Sequence, residues 1–409
     1  MMRLKQLIEQ CCPDGVEYVR LGDVATYHRG LTYSKRDEAD NGSLRVLRAN
    51  NVSLERKVID WEDVKRINPS KAIRESVLLR SNDILMVANS GSKDHVGKIA
   101  YVTQDYEDVA LGGFMAAIRT KEGYPSRYIY HHLQSQAFRD YKDGLLASAT
   151  INNLKGQRVE DFLIPLPPRE VQDKVVEYLD TFAALCENLD TDIAQREQQF
   201  AAYREKLLSD DYLTAHPCTE GMMKYERLGD VAPYSGSRIA SGLLNNSNFV
   251  GVDNLLKEMK GKVNSEYGPN TKTVTGFTQG DVLVGNIRPY LRKIWFADVD
   301  GGCSGDVLAF HPAGISPRFL YHVLCSERFW SFNVQNSKGA KMPRGDKRVL
   351  PEFSTPLPPR EVQDEIVTKL DALQELIDNL RLEREQRQQQ FDYYRERLLS
   401  FSKKNTAEV

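Results

Sequence analysis

A few side chains have the types and spacing of a catalytic site, but none completes a known one. Asp63 and Lys65 could be half of the D/E-x-K pair of a metal-dependent nuclease, yet no matching acidic partner precedes them at a usable distance. His131 is the only histidine that recurs in the second half of the chain, as His322, and both lie in aromatic-rich, helix-like stretches. We expect a charged surface at the first pair and packed structural histidines at the second.

The signatures of the common enzyme classes are missing. No G-x-G occurs, so a dinucleotide or S-adenosylmethionine loop of that kind is not visible, and no GxxxxGK[ST] phosphate loop exists. The N/D-P-P-aromatic tetrapeptide of base-amino methyltransferases, GxSxG and HExxH are absent too. These absences favour a non-catalytic protein. A nuclease with a degenerate site in its globules stays a rival, which metal-dependent turnover by the purified chain would support.

An internal repeat dominates the chain. Pro165 to Ser209 returns 191 residues later as Pro356 to Ser400, and the two segments are identical at 26 of 45 positions without a gap. A weaker echo links Tyr18–Tyr27 (YVRLGDVATY) to Tyr225–Tyr234 (YERLGDVAPY). The chain is therefore a duplication, with the order globule, long helix, globule, long helix.

The repeat predicts an α+β fold in which two mixed α/β globules are separated by two long antiparallel coiled-coil helices, with pseudo-two-fold symmetry. Pro167 and Pro168 suit the first turn of a helix, and no further Pro or Gly follows before Ser209. Each helix would be about 58 Å long. The expected segments are residues 1–164 (globule), 165–212 (first helix), 213–355 (globule) and 356–409 (second helix and tail).

A heptad seam runs along both helices and indicates that they pair with each other. The predicted seam of the first helix is Phe182, Cys186, Leu189, Ile193, Arg196, Phe200, Tyr203 and Leu207. That of the second is Leu373, Ile377, Leu380, Arg384, Arg387, Phe391, Tyr394 and Leu398. The short link after Ser209 favours an antiparallel pair, although such a seam is also typical of a rod that joins two copies of a chain.

Composition places the chain among ordinary globular proteins. Hydrophobic residues make up 41% and charged residues 27%, and no apolar run is long enough to cross a bilayer. The first residues lack the apolar centre of a signal peptide, so we expect a cytoplasmic protein. The six cysteines have no CxxC spacing and none recurs in the other half, which predicts free thiols and no structural metal.

Charge is distributed unevenly. The net charge is −2, yet residues 171–209 hold 8 acids and 4 bases and residues 362–400 hold 9 acids and 6 bases. The second globule is the basic part, with 17 bases and 13 acids in residues 217–355. Bulk charge therefore supports nucleic-acid binding only weakly.

The repeated combination of motifs resembles one family over the whole chain. Each globule opens with LGDVA and closes with PLPPREVQD, and each helix ends in YRE[KR]LLS, as in the specificity (S) subunits of type I restriction-modification systems. The helix endings are most similar to the class called type IC. One such motif is weak, but the ordered, twice-repeated set is a strong signal.

The resemblance implies a non-catalytic subunit that reads DNA. Each globule would be a target recognition domain for one half of a bipartite double-stranded site, and the helices would set the spacing and dock two modification subunits. Those partners would carry S-adenosylmethionine, and restriction subunits would add ATP- and Mg-dependent translocation and cleavage. No cofactor is expected in this chain, and no membrane contact.

Candidate DNA-contacting residues lie in loops that combine glycine with amides, hydroxyls and bases, because amides and Arg read base edges while Lys holds phosphates. In the first globule they are Asn89, Ser90, Ser92, Lys93, Lys98, Asn152, Asn153, Lys155 and Arg158. In the second they are Asn286, Arg288, Arg292, Lys293, Lys338, Lys341, Arg344, Lys347 and Arg348. Tyr33 and Tyr290 could stack on bases but are more typical of a core.

One further alternative is compatible with the net charge of −2. The chain could be a coiled-coil scaffold whose two globules bind proteins and have no DNA specificity. A mobility-shift assay with the modification subunits present separates this scaffold from a DNA reader.

Overall fold

The computed structural model describes residues 2–53, 57–70, 72–147 and 152–404, and the chain divides into two compact units. Unit 1 comprises residues 1–188 together with 384–409, and unit 2 comprises residues 189–383. Each unit therefore contains one globule and parts of both long helices. The segment boundaries expected from the sequence at residues 164, 212 and 355 stay a prediction.

Helices and strands alternate along each half of the chain. Within the described residues the α-helices are α1 (Met2–Cys11), α2 (Leu21–Val24), α3 (Ser126–His132), α4 (Gln136–Ala147), α5 (Gly156–Glu160), α6 (Arg169–Leu207), α7 (Asp210–Ala215), α8 (Leu228–Val231), α9 (Pro317–Leu324), α10 (Glu327–Gln335) and α11 (Arg360–Leu398). The first nine strands are β1 (Glu17–Arg20), β2 (Ala25–Arg29), β3 (Leu44–Leu47), β4 (Lys65–Ile67), β5 (Ile84–Val87), β6 (Ile99–Tyr101), β7 (Val109–Leu111), β8 (Met115–Thr120) and β9 (Leu163–Leu166). The others are β10 (Lys224–Arg227), β11 (Arg238–Ala240), β12 (Phe249–Val250), β13 (Thr273–Phe277), β14 (Val282–Gly285), β15 (Ile294–Phe296), β16 (Gly301–Cys303), β17 (Val307–Phe310), β18 (Ser337–Lys338), β19 (Arg344–Gly345) and β20 (Ser354–Leu357).

The globule of unit 1 is built from two sheets that share a core. A four-stranded antiparallel sheet has the order β2-β8-β5-β6, and a three-stranded sheet has the order β4-β3-β7, in which β3 and β7 are parallel. Alternate residues of β5 serve different sides: Ile84 and Met86 pack towards the helices, and Leu85 and Val87 pack into a second cluster. All four are fully buried, as expected for a strand covered on both faces.

Unit 2 repeats this plan with shorter strands. Its central sheet has the order β15-β14-β17, and the second sheet has the order β11-β13-β16-β12. β14 again divides its side chains between two clusters, with Val282 and Val284 in one and Leu283 in the other. The mixed α/β globules expected from the sequence are confirmed in both units.

Each globule is closed by one antiparallel strand pair at its base. β1 pairs with β9, so that Glu17 lies opposite Leu166, and β10 pairs with β20, so that Lys224 lies opposite Leu357. The chain therefore enters and leaves each globule at neighbouring positions. The long helices α6 and α11 begin three residues after these pairs, as the Pro-Pro dipeptides predict.

The two long helices contribute to both units and pack beside each other within each of them. In unit 1, Phe182 of α6 stacks on Tyr394 of α11 with ring centroids 5.3 Å apart. In unit 2, Glu197 of α6 pairs with Arg381 of α11 at 2.5 Å, and Tyr212, just beyond α6, approaches Lys369 at 3.4 Å. The contacts thus run in opposite directions along the two helices, which confirms the antiparallel pairing.

The predicted seam is correct at Cys186, Leu207, Ile377 and Phe391, which are buried, but wrong at Arg196 and Tyr203. Tyr203 is 39% exposed and Arg196 is also exposed, whereas Arg204 is buried. Its repeat, Arg395, is 1% exposed, more deeply buried than the neighbouring Tyr394. A heptad pattern that assigns only apolar residues to the seam does not predict a buried arginine. An arginine can nevertheless be buried, because its long stem is apolar and its guanidinium can pack on an aromatic ring.

The buried arginine packs on a phenylalanine ring in both units. The guanidinium of Arg204 lies 5.5 Å from the ring of Phe200, and that of Arg395 lies 5.3 Å from the ring of Phe391. Each ring is one helical turn before its arginine, so the pair forms along one helix face. An arginine–phenylalanine stack therefore forms near the C-terminal end of the long helix in both repeats.

A glutamate beside each buried arginine caps a helix of the globule. Glu396 of α11 accepts a hydrogen bond from the backbone N–H of Gln136, the first residue of α4, at 2.9 Å. Glu205 of α6 accepts one from the N–H of Glu327, the first residue of α10, at 3.0 Å. A carboxylate at a helix N-terminus satisfies an otherwise unpaired donor and interacts favourably with the helix dipole. Each globule therefore uses the long helix of the other repeat.

An ion-pair clamp holds each globule on its own long helix. Asp180 of α6 accepts hydrogen bonds from Arg127 and lies 2.7 Å from Nε2 of His131. In the second repeat Asp371 of α11 accepts a hydrogen bond from Arg318 at 2.5 Å and lies 3.1 Å from Nε2 of His322. Both histidines are 1% exposed, which confirms that they are packed structural residues.

Electrostatics explains why the clamp stabilises the fold at neutral pH. Burial alone would raise the pKa of Asp371, but the hydrogen bonds from His322 and Arg318 outweigh it and hold the pKa at about 2. A carboxyl whose pKa is lower in the folded state stabilises the fold above its ordinary value near 4, and this stability is lost as the pH falls towards 2.

Replacement of Asp371 by Asn tests the clamp. The variant keeps the shape but removes the charge that pairs with Arg318, so we expect a loss of about 1 to 2 kcal/mol in the free energy of unfolding of unit 2 at pH 7. The difference from the unmodified chain should shrink as the pH falls from 4 to 2. The matched control is Asp364→Asn, one half of an exposed helix pair with Arg360, which should change stability by less than about 0.5 kcal/mol. Equal effects in urea denaturation would refute the clamp.

Candidate functional site

Three separate segments meet at one surface of unit 1, which we call site 1 (residues 89–93, 112–115 and 152–155). Asn89 and Asn153 form an isolated antiparallel bridge, and the N–H of Ser90 donates to the carbonyl of Asn152 at 3.3 Å. Sequence analysis selected the first and third segments independently, and the structure places them side by side. Of the second candidate stretch, residues 148–151 lie outside the described residues.

The central segment of site 1 is a turn that sequence analysis missed. Met115 N–H donates to Gly112 O at 2.8 Å, and Phe114 O accepts from Ala88 N–H at 2.8 Å. The Phe114 side chain is 63% exposed. Arg29 ties the turn to the third segment, because its Nε donates to Gly113 O at 2.8 Å and its Nη1 to Asn153 Oδ1 at 3.1 Å.

The remaining candidates of the first globule differ in accessibility. Ser92, Lys93, Lys155 and Arg158 are exposed and can reach a ligand. Lys98 is half-buried, and its Nζ points to the carbonyl of Val52 at 3.4 Å. The contact with Val52 O directs the ammonium of Lys98 into the globule, and burial lowers its pKa.

Unit 2 contains an equivalent surface, site 2 (residues 286–288, 304–307 and 343–347). Ile287 bridges to Arg344, and the N–H of Arg288 donates to Pro343 O at 2.7 Å. The turn forms as in site 1: Val307 N–H donates to Ser304 O at 3.0 Å. The two candidate stretches of the second globule are thus brought together as well.

The turn of site 2 is held by the same pattern of contacts as that of site 1. Asn286 N–H donates to Asp306 O at 2.8 Å, as Ala88 does to Phe114. The ammonium of Lys347 donates to Gly305 O at 2.7 Å. It takes the place of Arg29 in site 1, which donates to Gly113 O. The two sites therefore share the same backbone arrangement but carry different side chains.

A small two-stranded ribbon, β18–β19, adds the positive charge of site 2. Lys338 lies opposite Arg344 in the ribbon, and Lys341 is in the exposed loop between them. A side chain at Gly345 would not fit, since an added Cβ would lie 2.4 Å from Oδ1 of the buried Asn333. The ribbon is therefore fixed against α10.

Ion pairs partly balance this charge. Asp346 lies 2.5 Å from Lys338 and 3.5 Å from Arg348, and the hydrogen bonds of these residues hold its pKa at about 2. Nε of Arg344 lies 3.2 Å from Asp306. Lys341 is exposed, and no contact within the described chain neutralises it. Because exposed pairs contribute little free energy, the ribbon can exchange them for phosphates at low cost.

The other candidates of the second globule have distinct environments. Arg288 and Tyr290 are exposed, and Arg288 adopts a left-handed backbone (φ 54°), which costs a non-glycine residue about 1 kcal/mol or more. Asn286 is 1% exposed and lies beneath the surface. Arg292 pairs with Glu327 at 2.7 Å through Nη2. Lys293 donates to Val252 O at 2.6 Å, and burial lowers its pKa, as for Lys98.

Asp63 and Lys65, the nuclease-like pair of the first globule, each form an ion pair with another residue. Asp63 accepts a hydrogen bond from Arg48 at 3.0 Å, and Lys65 pairs with Glu38 at 3.1 Å. Within the residues that the structure describes, no cluster of three or more His, Cys, Asp or Glu side chains could hold a metal ion. In the same residues no helix has the length and apolar character needed to cross a membrane.

Comparison with known proteins identifies relatives over both halves. Residues 13–196 match the family model of the type I restriction modification DNA specificity domain. The type I restriction enzyme StySPI specificity subunit of Salmonella potsdam is 30% identical over 200 residues, 48% of this chain and 42% of that protein. The match thus spans less than half of that relative's length. A putative type I restriction enzyme specificity subunit of Haemophilus influenzae, S.HindORF215P, is 24% identical over 395 residues, 85% of this chain and 97% of that protein.

The fold is also shared with a solved structure. The S subunit of a type I restriction-modification system from M. genitalium matches with a TM-score of 0.52 at 15% identity, over 94% of this chain and 96% of that one. The match therefore spans nearly the whole of both chains and shows a shared fold.

Proposed function

We propose, on the premise that the chain belongs to the type I restriction-modification DNA specificity family, that it recognises double-stranded DNA at two places, one through each site. The observation that carries the proposal is the repeated surface: the same three segments and the same backbone hydrogen bonds present different side chains in sites 1 and 2. A constant frame with variable side chains suits the reading of two different base sequences.

The chemistry of site 2 fits a duplex. A two-stranded ribbon is narrow enough to enter the major groove, and β18–β19 places Lys341 at its exposed tip. Lysines hold phosphates, and arginines and amides read base edges. Site 1 is less basic and offers Asn152, Ser92 and Lys93, which suits hydrogen bonding at the bases with fewer phosphate contacts.

The long helices would set the spacing of the two contacts. A rigid spacer makes the second contact intramolecular once the first has formed, which raises its effective concentration. Half-sites on one face of B-DNA lie about 34 Å apart for each helical turn, a distance that helices about 58 Å long can match.

Partner subunits would supply the chemistry. In unit 1 the long helices expose Leu185 (38%) and Tyr393 (58%), and in unit 2 α11 exposes Leu382 (54%), apolar side chains that a docked protein could cover. We assign these helix faces, one set in each unit, to two modification subunits that carry S-adenosylmethionine, joined in a larger cytoplasmic complex by restriction subunits that use ATP and Mg. In this scheme the chain itself has no catalytic role.

The proposal is tested by mapping methylated adenines genome-wide in cells with and without this chain, with the modification subunits expressed in both. We expect a single bipartite motif that is methylated only when the chain is present. A mobility shift with the assembled complex should then favour a duplex with this motif over a scrambled one by about 1,000-fold or more. An unchanged methylation pattern, or equal binding of both duplexes, would instead support a protein-binding scaffold.

A further inference from the structure

The turns of the two sites occupy the same position in the fold but carry opposite chemistry. The site-1 turn (residues 112–115) presents the ring of Phe114, and the site-2 turn (residues 304–307) presents the carboxylate of Asp306. The carbonyls of both residues accept a hydrogen bond from the strand end opposite, Ala88 in one unit and Asn286 in the other. The two side chains are therefore structural equivalents.

The exposure of Phe114 has no stabilising explanation within unit 1. A ring that is 63% exposed contributes little to the core, whereas the neighbouring Met115 is fully buried. Its backbone is nevertheless fixed, because the carbonyl of Phe114 also accepts from Asn89 at 3.1 Å and the preceding carbonyl is held by Arg29. Single exposed apolar side chains are common, but this one is held rigidly between two amide-bearing segments of site 1.

Asp306, unlike Phe114, contacts a neighbouring side chain of its site, Arg344. Its carboxylate accepts from Nε of Arg344 at 3.2 Å, and both side chains stay about half exposed, at 41% and 52%. Among the described residues no hydrogen bond or ion pair is made by the two Nη groups of Arg344. A carboxylate on Nε fixes the plane of a guanidinium and leaves the Nη edge available for two parallel hydrogen bonds.

We propose that the turn position directs base reading in both domains: Phe114 itself contacts a thymine methyl group, and Asp306 orients Arg344, which contacts the O6 and N7 of a guanine. The inference rests on the proposed function and deepens it. Apolar contact with the C5-methyl of thymine and bidentate contact of arginine with guanine are the pairings that geometry favours in the major groove. The target should therefore hold a required A·T pair in one half and a required G·C pair in the other.

The test of Phe114 uses the modification complex and duplexes with the mapped motif in which each thymine in turn is replaced by deoxyuridine. Removal of the methyl group should weaken binding by about four-fold at one thymine, the effect expected for one buried methyl group. With Phe114→Ala this sensitivity should disappear, while the other half-site is read as before. If every thymine tolerates the replacement, or if the sensitivity persists in the variant, Phe114 does not read this group.

The test of Arg344 replaces each guanine in turn by 7-deazaguanine, which lacks the N7 acceptor. Binding should fall by about 10-fold or more at one guanine in the other half-site, and Arg344→Lys should lose discrimination at that pair by about 10- to 100-fold. Asp306→Asn should show a smaller loss at the same guanine, since it releases the arginine without removing it.

Two outcomes separate this inference from the proposed function. Specific binding that survives in all three variants, with no base position affected, refutes the assignment of Phe114 and Arg344 but leaves DNA recognition intact. Absence of specific binding by the unmodified complex refutes both. Since none of the three side chains is buried, retained methylation at the half-site read by the other unit serves as the folding control.

Discussion

Exchange of residues 217–355 for the corresponding domain of another specificity subunit should change one half of the methylated motif and leave the other half intact. The structure favours this result because β10 and β20 pair at the base of the globule, with Lys224 opposite Leu357, so both junctions lie at neighbouring positions. Loss of one set of base contacts should reduce binding to the original motif by about 1,000-fold or more.

The exchange must preserve the contacts that fix the globule on the long helices. The donor domain needs an arginine and a histidine at the positions of Arg318 and His322 to pair with Asp371, and a free N–H at the position of Glu327 to meet Glu205. The matched control carries the same donor domain, but with Arg, His and Glu of this chain restored at positions 318, 322 and 327. A motif that changes in both halves would contradict independent recognition domains.

Removal of three bases from site 2 is the second large effect that we expect. The variant Lys341→Ala, Arg344→Ala, Lys347→Ala should weaken binding of the mapped duplex by about 100-fold near 0.15 M salt, because it removes phosphate and base contacts together. The slope of log affinity against log salt should become shallower by about 1, the share of Lys341, because the ammonium of Lys347 is bonded to Gly305 O and holds the turn.

A control with the same change of charge distinguishes local contact from bulk electrostatics. Lys224, Arg227 and Arg360 lie at the base of the unit-2 globule and the start of α11, outside site 2. Their joint replacement by Ala should alter the salt slope by less than about 0.5, since screening limits charges that do not touch the duplex. An unchanged slope in the first variant, or equal slopes in both, would remove the ribbon from the DNA interface.

The helices and globules could be predicted because their signals are long and repeated. Pro168 and the uninterrupted stretch to Ser209 predict α6 to within a few residues of its observed bounds, Arg169–Leu207. The seam failed where a single interaction outweighs periodicity: burial of Arg204 is compensated by the ring of Phe200 and exposes Tyr203 instead. Whether the arginine or the tyrosine is buried depends on the geometry of one contact. A heptad pattern describes only the repeating positions and does not contain that geometry.

The sites were predictable only in part. Composition found the segments around Asn89 and Arg344, because amides and bases in glycine-containing loops are typical of ligand contact. It could not exclude Lys98 and Lys293, whose ammonium groups turn inwards to backbone carbonyls. It also missed Phe114, because an aromatic residue at the end of an apolar strand is ordinarily read as core. Exposure at that position is a tertiary property.

The discontinuity of unit 1 has a consequence for how the chain matures on the ribosome. Residues 189–383, which form unit 2, are all synthesised before residues 384–404, which carry Phe391 and Glu396 into unit 1. Nascent domains commonly fold in the order in which they emerge. Here the first globule to be translated would have to wait for the last helix, with the apolar face of α6 around Phe182 uncovered meanwhile. The earlier half would thus be the later one to complete its packing.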